Sequence, residues 1–333
     1  MIENLQVKKL STVERLTMRR AALIYNPASG QHSARRAGAV REAMAVLREG
    51  GVEAEALETN APGSASALAR AAIRNGCDAI LAAGGDGTVH EILQCLVGTN
   101  VALGVLPLGT ANALAQNLGL GRTPVKAARL LLKAEPRAIP VGRILYRDSR
   151  GTDQSRFFTV AAGIGPDALL MSSMDAGLKR RLGYALYLLE AFKIWVTNPF
   201  PLFDAAFSVN GGGEKRAEKV SQLLAIRVRS FGGVLGELAP GATITNHSLS
   251  LMAFKTRSRL QYLRFLLAVV ASRHTFSNDV ELIDATSVDC RDLEGSGTKV
   301  FVEADGEVLG TLPARIEVAR QTVHMLIPPH ARP

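Results

Sequence analysis

The stretch Gly84-Gly85-Asp86-Gly87-Thr88-Val89-His90-Glu91 decides the fold of this 333-residue chain. It follows a short apolar run at residues 79–83 and leads into a segment with helical spacing of its apolar residues. A strand, a glycine-rich turn and a helix start, in that order, bring free backbone N–H groups and the positive helix end to one point. This arrangement suits a phosphate, and Asp86 adds a carboxylate for a metal ion or a hydroxyl. The same glycines are also typical of an ordinary strand-to-helix turn.

Upstream and downstream of this stretch, apolar strand patterns alternate with helical patterns. Val40, Met44 and Leu47 are spaced i, i+4, i+7 and mark the apolar face of the first helix. Repeated βα units of this length predict a parallel sheet with right-handed crossovers, whose ligands bind off the carboxyl ends of the strands. The predicted strands are residues 21–25, 52–58, 79–83 and 101–106, and the predicted helices are about 33–49 and 62–75.

Polar, glycine-rich clusters fall at these strand ends. Gly109 allows close backbone approach, and Thr110 and Asn112 offer small polar groups for phosphate or ribose oxygens. Turn chemistry alone explains one such loop, but several at one sheet edge indicate a shared ligand site. None matches the phosphate loop G-x-x-x-x-G-K-[ST] or a dinucleotide fingerprint. The clusters are Asn26-Pro27-Ala28-Ser29-Gly30, Thr59, residues 84–88 and Pro107-Leu108-Gly109-Thr110-Ala111-Asn112.

After Pro136 short extended patterns replace the alternation, which predicts a β-rich second domain. A long helical insertion is predicted from Ala168 to about Thr197, a second helix at about 260–272, and a hairpin tip at residues 211–213. The predicted strands are 138–146, 156–161, 205–210, 220–228, 249–254, 280–283, 286–290, 299–302, 315–319 and 323–327.

The fold class is therefore an α/β N-terminal domain with a parallel sheet, plus a β-rich sandwich C-terminal domain with helical insertions. The predicted division is a basic N-terminal extension at 1–20, a nucleotide-binding domain at 21–138, a β-sandwich substrate domain at 139–314 and a C-terminal segment at 315–333 that packs back on the first domain.

Composition limits the class of partner. Hydrophobic content of 47% and charged content of 21% are typical of a globular protein, and the net charge of +9 favours an anionic partner. Aromatic content is 5% without basic runs that include aromatic residues, so no nucleic-acid partner is predicted. Cys77, Cys95 and Cys290 are odd in number and indicate reduced thiols in a cytoplasmic protein. No apolar segment reaches the ~18 residues of a transmembrane helix, so none is predicted.

The motifs, taken together, resemble the diacylglycerol kinase catalytic-domain family, which includes soluble bacterial lipid kinases and the sphingosine and ceramide kinases. The resemblance rests on NPASG at 26–30, GGDGTVHE at 84–91 and GTAN at 109–112, and continues at residues 162–168, 178–184 and 303–307. It covers about residues 21–328. GGDGT alone is shared with NAD kinases and is related to a phosphofructokinase loop, so the resemblance implies that type of N-terminal domain.

The resemblance implies an ATP- and Mg²⁺-dependent kinase acting on a lipid hydroxyl, of diacylglycerol or a related lipid. Asp305 would be the general base, Glu307 would support it, and Asp86 would hold Mg²⁺ directly or through water. Asp167 would lie near the lipid head group; the alternative is an N-cap for the following helix. The nucleotide contacts would come from Asn26, Pro27, Ser29, Gly30, Thr59, Gly84, Gly85, Asp86, Gly87, Thr88, Glu91, Gly109, Thr110 and Asn112.

Several alternatives stay open at this level. The pattern at residues 305–307 is also typical of a hairpin turn. Residues 178–192 are interpreted either as a lid that rests on anionic lipid or as a core-facing helix. The chain has Ala113 where bacterial relatives usually have Asp. Residues 245–248 lack the acidic groups of a structural Mg²⁺ site, so no second site is expected. A cytoplasmic protein with peripheral membrane association is expected, and a homodimer is left open.

The two competing functions are an NAD-kinase-like kinase of a soluble substrate and a catalytically silent lipid-binding protein on the same scaffold. The motifs at 162–184 argue against the first, and the presence of Asp86, Asp305 and Glu307 argues against the second.

Overall fold

The computed structural model describes residues 18–27, 33–173, 192–209, 215–231, 237–270, 279–293 and 297–331. The strands in this part of the chain are β1 (Arg20–Tyr25), β2 (Glu53–Glu58), β3 (Ala79–Gly84), β4 (Ala102–Pro107), β5 (Glu135–Arg147), β6 (Asp153–Phe158), β7 (Ala161–Ile164), β8 (Phe203–Val209), β9 (Lys215–Val220), β10 (Gln222–Ile226), β11 (Leu249–Phe254), β12 (Val280–Asp292), β13 (Phe301–Ala304) and β14 (Glu307–Ile327). The helices are α1 (Ser33–Glu49), α2 (Ser64–Arg74), α3 (Asp86–Leu96), α4 (Ala113–Asn117), α5 (Pro124–Leu131), α6 (Pro166–Ser173) and α7 (Arg259–Val270), and residues 192–197 are also helical.

The N-terminal lobe is the predicted α/β domain. Its strands lie in the order β2-β1-β3-β4 and are all parallel. Helix α1 packs with α5 and α2 packs with α3. Every residue of β3 and β4 is buried, as expected for apolar strands in the middle of a parallel sheet. The predicted apolar face of α1 is confirmed, because Val40, Met44 and Leu47 are all buried in this core.

The C-terminal lobe is a six-stranded antiparallel barrel. Its strands follow the order β14-β13-β7-β10-β11-β12, and β12 pairs again with β14 to close it. Strands β8 and β9 extend the sheet from β12, while β5 and β6 extend it from β14. Side chains such as Phe158, Phe203 and Phe207 fill this second core. The predicted β-rich C-terminal domain is thereby confirmed.

One strand, β14, belongs to both lobes. Its first residues pair with β13 in the barrel, while His324 and Met325 pair in parallel register with Ala102 and Leu103 of β4. Strand β5 runs alongside nearly all of it. Because β14 pairs with strands of both lobes, the turn that precedes it is held in a fixed position relative to the strand ends of the first lobe.

Strand number was predicted less well than strand position. The predicted strands 280–283 and 286–290 form the single strand β12, and 315–319 and 323–327 form part of β14. Both strands contain register shifts at the predicted breaks, because irregular pairing interrupts the side-chain alternation without ending the strand. Strand β9 was not predicted; it is a charged edge strand that pairs only with β8 among the described strands. Residues 211–213 and the middle of the helical insertion, 174–191, lie outside the described residues.

Candidate active site

The two glycine loops of the first lobe touch each other. Gly84 pairs with Pro107 at the ends of β3 and β4, and the N–H of Leu108 donates to the carbonyl of Gly84 at 3.0 Å. A Cβ placed on Gly109 would lie only 2.4 Å from the Cα of Gly85. The loops therefore pack backbone against backbone, which only glycine at position 109 allows.

The Asn112 side chain holds the second loop in shape. Asn112 has a left-handed φ of 49°. Its Oδ1 accepts a hydrogen bond from the Gly109 N–H at 2.9 Å, and its Nδ2 donates to the Gly109 carbonyl at 2.8 Å. Thr110 lies exposed at the tip of this closed loop. Among the predicted contacts in this loop, Thr110 is the side chain that is open to a ligand.

Helix α3 begins where the two lobes meet, at Gly87 opposite Glu307, and we call this junction the cleft. The N-cap residue is Gly85, so no side chain caps the start of the helix. Gly87, in the first turn, is exposed. An uncapped helix start leaves backbone N–H groups and a positive partial charge available for an anion. This is the geometry that the GGDGT sequence predicted for a phosphate.

Asp86, the first residue of α3, reaches across to α4. Its carboxylate accepts backbone hydrogen bonds from Asn112, Ala113 and Leu114. Burial and then the charge of Asp305 raise the pKa of Asp86, and the three N–H groups oppose that rise. Asp305 of the second lobe therefore lies close enough to Asp86 for its charge to act on it.

One face of α3 forms the junction with the second lobe. Asp86, His90 and Gln94 are four residues apart and so share a helix face. Gln94 donates to the Phe157 carbonyl at 2.9 Å and accepts from the Phe157 N–H at 3.0 Å. His90 was not among the predicted site residues, although its spacing from Asp86 was a signal that could have identified it.

His90 lies between the two acids of the C-terminal motif. Its side chain is 1% exposed, its Nδ1 lies 3.3 Å from Asp305 Oδ2, and its Nε2 lies 3.8 Å from Glu307 Oε2. Burial lowers the pKa of His90, but the hydrogen bond and charge of Asp305 and the charge of Glu307 outweigh it, so the net pKa is raised. A protonated imidazole here would be shared by both carboxylates.

Asp305 lies in a tight turn and is held by the backbone of the second lobe. Asp305 and Gly306 have φ of 48° and 84°, so both central residues of the β13–β14 hairpin are left-handed. Asp305 Oδ1 accepts from the N–H groups of Val160 and Ala161 at 2.9 and 3.1 Å, and Oδ2 accepts from Thr159 N–H at 3.0 Å. The hairpin-turn alternative is therefore correct, and the same turn brings the acid to the cleft.

Glu307 is the accessible acid of the pair. Its side chain is 49% exposed, against 3% for Asp305. A Cβ placed on Gly87 would lie 3.6 Å from Glu307 Oε1, so Glu307 faces the first turn of α3. The uncapped start of α3 thus lies on one side of the cleft, and the two acids lie on the other.

With this geometry established, comparison with known proteins identifies the chain. Residues 20–144 match the family model "Diacylglycerol kinase catalytic domain", and residues 159–327 match "YegS C-terminal NAD kinase beta sandwich-like domain". The chain belongs to the diacylglycerol kinase family. It is therefore an enzyme of the diacylglycerol and lipid kinases, and kinase chemistry implies ATP as the phosphoryl donor.

Some relatives match this chain along nearly their whole length. A diacylglycerol kinase from Bacillus subtilis is 28% identical over 314 residues, which cover 93% of this chain and 97% of the relative. A solved putative diacylglycerol kinase from Bacillus anthracis is 20% identical with a TM-score of 0.74, over 96% of this chain and 99% of that chain. Yeast NADH kinase, solved with NADH, is 12% identical with a TM-score of 0.51, over 94% and 84% of the two chains, and shows a shared fold.

The other predicted nucleotide contacts of the kinase lie along the same sheet edge. Asn26 and Pro27 follow β1, and Thr59 follows β2, where its N–H donates to the Tyr25 carbonyl at 2.9 Å. Because β1 lies between β2 and β3, these residues line up beside the GGDGT loop. Ser29 and Gly30 lie outside the described residues.

Asp167 lies in the first turn of α6. The helix begins at Pro166, so Asp167 is its second residue and the N-cap alternative is wrong. Burial raises the pKa of Asp167 to about 6. A buried acid, Glu303, lies near it.

A buried arginine behind the site had no sequence signal. Arg227 is 1% exposed, and its Nη2 donates to the carbonyls of Pro140, Ile244 and Asn246 at 2.9, 2.9 and 3.2 Å. Burial lowers the pKa of Arg227 to about 10, and the charge of Asp305 opposes this. Arg227 therefore supplies positive charge near the acids of the cleft.

The described residues fit a magnesium ion that is shared with a bound nucleotide. No group of three or more His, Cys, Asp or Glu side chains in the described part of the chain could hold a metal by itself. Mg²⁺ in kinases commonly takes one or two carboxylates together with phosphate oxygens and water. Asp86, partly exposed beside the helix start, can supply such a carboxylate.

Glu91 has a structural contact in addition to its predicted nucleotide role. Its Oε1 accepts from the Ala65 N–H at 3.2 Å, and its carboxylate also accepts from backbone groups of Gly63 and Ser66. Helix α2 has no side-chain cap at its own N-cap, Gly63, so Glu91 caps it from α3.

Replacing Glu91 with alanine is expected to lower the free energy of unfolding by about 0.5–2 kcal/mol, because the start of α2 loses its acceptor and its favourable charge. Urea unfolding followed by circular dichroism measures this. Glu42→Ala, an exposed position on α1, is the control. Equal stability of the two variants would show that the cap contributes nothing.

Proposed function

We propose that this kinase transfers the γ-phosphoryl group of ATP, with Mg²⁺, to a hydroxyl of diacylglycerol or a related lipid such as a sphingoid base, ceramide or phosphatidylglycerol. One observation supports this most directly. The Asp305–Glu307 turn of the barrel meets the first turns of α3, with Asp305 3.3 Å from His90 and Glu307 facing Gly87. A lipid hydroxyl placed between them would have a base beside it and a phosphate in front of it.

The protein's part in this reaction is mainly positioning and charge. Phosphoryl transfer needs in-line alignment, neutralised phosphate charge and an oriented nucleophile. The uncapped N–H groups of α3 and the exposed Thr110 would hold phosphate oxygens, together with Asn26, Pro27, Ser29, Gly30, Thr59, Gly84, Gly85, Gly87, Thr88, Glu91, Gly109 and Asn112. Mg²⁺, held through Asp86, would offset the charge on the transferred group.

Asp305 is proposed as the general base, with Glu307 in support. Three backbone N–H groups keep the Asp305 carboxylate in one orientation, and His90 connects it to Glu307. The exposed Glu307 is the nearer group to an incoming hydroxyl, so the proton can reach Asp305 through the His90 contact or stay on Glu307. Substituting each residue separately distinguishes these two routes.

A second surface supports action at a membrane. Four exposed apolar side chains lie on two helical segments, and we call this set the apolar ridge: Phe192, Val196, Leu260 and Leu267. Its two helical segments touch, because Trp195 Nε1 donates to the Arg259 carbonyl at 2.9 Å. Exposed cations flank the ridge at Lys193, Arg257, Arg259 and Arg264. Exposed apolar side chains with cations beside them in the chain suit an anionic lipid surface.

This surface supports peripheral attachment in a cytoplasmic setting. Among the residues that the structure describes, no helix has the length and apolar character needed to span a bilayer. The predicted lid at residues 178–192 lies almost wholly outside the described residues, and a homodimer stays a prediction.

Replacing both Leu260 and Leu267 with alanine is expected to weaken binding to vesicles containing phosphatidylglycerol roughly tenfold or more, because each leucine contributes about 1 kcal/mol at partial insertion. Vesicle sedimentation at low and high salt measures it, and wild-type binding should fall as salt rises. Val209→Ala, an exposed apolar position on β8, is the control. Unchanged binding of the double variant would exclude the ridge as the membrane contact.

The lipid acceptor is tested with labelled ATP against diacylglycerol, sphingosine, ceramide, phosphatidylglycerol and monoacylglycerol, each in mixed micelles, with NAD as the soluble alternative. Phosphorylation of one lipid and not of NAD is expected. Phosphorylation of NAD alone would overturn the proposal. Binding of a lipid without transfer to any acceptor would favour the catalytically silent alternative.

A further inference from the structure

Glu303 is a buried acid to which the proposed chemistry assigns no role. It lies on β13, two residues before Asp305, and is 4% exposed. Its Oε2 accepts a hydrogen bond from the Gly306 N–H at 2.9 Å. Glu303 therefore contacts Gly306, one of the two left-handed residues in the turn that brings Asp305 and Glu307 to the cleft.

The other oxygen of Glu303 lies near Asp167. Gly163 lies opposite Glu303 in the β13–β7 pairing. A Cβ built on Gly163 would be 2.8 Å from Glu303 Oε1 and 2.7 Å from Asp167 Oδ2. Glu303 Oε1 and Asp167 Oδ2 are therefore no further apart than the sum of those two distances. A glycine at position 163 is what leaves room for both acids.

Two carboxylates this close, of which Glu303 is buried, cannot both be ionised without a large cost. Burial raises the pKa of Asp167, and burial followed by the charge of Asp167 raises the pKa of Glu303 well above its usual range. The charges that act most on Glu303 are those of the acids Asp167 and Asp305, and hydrogen bonds from the Gly306 and Gly163 backbone oppose the rise in its pKa. His90 and Arg227 act on Asp305 instead.

We propose that Glu303 is a positioning residue for phosphoryl transfer, which stays protonated at neutral pH, donates its carboxyl proton to Asp167 and accepts from the Gly306 N–H. One neutral side chain then holds two parts of the acceptor side of the cleft: the turn with Asp305 and Glu307, and the partly exposed Asp167 on α6. The activity part of this proposal rests on the proposed lipid-kinase function, whereas the proton on Glu303 does not.

The direction in which stability changes with pH follows from the difference between the pKa of Glu303 in the folded protein and in the unfolded chain. A glutamate in the unfolded chain has a pKa of about 4.3. Because the folded pKa of Glu303 is raised, the folded protein binds this proton more tightly than the unfolded chain does. The resulting stability is complete below about pH 4.3 and is lost as pH rises through the folded pKa. Asp167, with a raised pKa of about 6, acts in the same direction.

The test compares Glu303→Gln with Glu303→Leu in the full chain. Glutamine can accept from Gly306 and donate to Asp167 but cannot ionise, so it mimics the protonated acid. Its fall in Tm from pH 6 to 9 is expected to be smaller than that of the wild type by roughly 3 °C or more. Leucine keeps the volume but makes neither hydrogen bond, and is expected to lose kcat about tenfold or more while the KM for ATP stays within about twofold.

The proposal is supported if glutamine restores most of the turnover that leucine loses. It is overturned if glutamine is as impaired as leucine, because an ionised carboxylate would then be required. It is also overturned if the Tm profile of Glu303→Gln follows that of the wild type. Asp204→Asn, an exposed acid on β8, controls for a general change of charge. The Tm comparison of Glu303→Gln with the wild type needs no substrate. It therefore tests the proton on Glu303 even if no lipid is phosphorylated or if the leucine variant fails to fold.

Discussion

Asp305→Asn is expected to reduce ATP-dependent lipid phosphorylation at least about a hundredfold, a barrier increase of about 2.7 kcal/mol or more. The substitution removes the negative charge that would accept the proton of the lipid hydroxyl. It also replaces one acceptor oxygen with an NH₂ group in a site formed by the N–H groups of Thr159, Val160 and Ala161. A donor would then face a donor, so the free energy of unfolding should fall by about 1–3 kcal/mol as well.

A second variant separates catalysis from this structural loss. Glu307 is half exposed and its carboxylate is not enclosed by backbone donors, so Glu307→Gln should leave Tm nearly unchanged. Steady-state rates of both variants, measured below their melting temperatures, show which acid takes the proton. A larger loss in Glu307→Gln than in Asp305→Asn would move the general-base role to Glu307.

Asp153→Asn is the matched control, because Asp153 is 84% exposed and pairs only with Arg147 on the described surface of β6. Its rate should equal that of the wild type. If Asp305→Asn keeps a rate within about threefold of the wild type while its Tm falls, Asp305 has a structural role alone.

Gly109→Ala is expected to lower kcat/KM for ATP by roughly thirtyfold or more, about 2 kcal/mol. The new Cβ would lie 2.4 Å from the Cα of Gly85 and 2.9 Å from Asn112 Oδ1. The first contact is with backbone, so no side-chain rotation relieves it, and the two loops must separate. Because both loops are proposed to hold the same phosphates, their separation should weaken nucleotide binding more than it weakens the fold.

Gly38→Ala is the control for this substitution. Gly38 lies within α1, and a Cβ there would meet no atom within 4 Å. Alanine should therefore stabilise the protein by about 0.5–1 kcal/mol and leave ATP kinetics unchanged. Calorimetric ATP binding to Gly109→Ala equal to that of Gly38→Ala would mean that the two loops do not hold a common ligand.

Sequence patterns predicted the first lobe well because its signals are local. The boundaries of α1 at Ser33–Glu49 match the prediction, and the strand ends with Thr59, Gly84 and Gly109 follow from hydrophobic runs and glycines that need no knowledge of distant residues. The second lobe was predicted less completely. The long strands β12 and β14 were each divided in two, since a bulge interrupts the alternation that marks a strand.

By itself the sequence determined the order of strands and helices in the first lobe and the glycine loops at their ends, and its resemblance to a kinase family pointed to the acids Asp86, Asp305 and Glu307. Only the tertiary structure placed Asp305 beside His90, Glu303 against Asp167 and Arg227 behind them. The physical reason is that these contacts join residues of distant chain segments through β14, which pairs with strands of both lobes. Such pairing depends on the closed barrel, and no local pattern of charge or hydrophobicity encodes it.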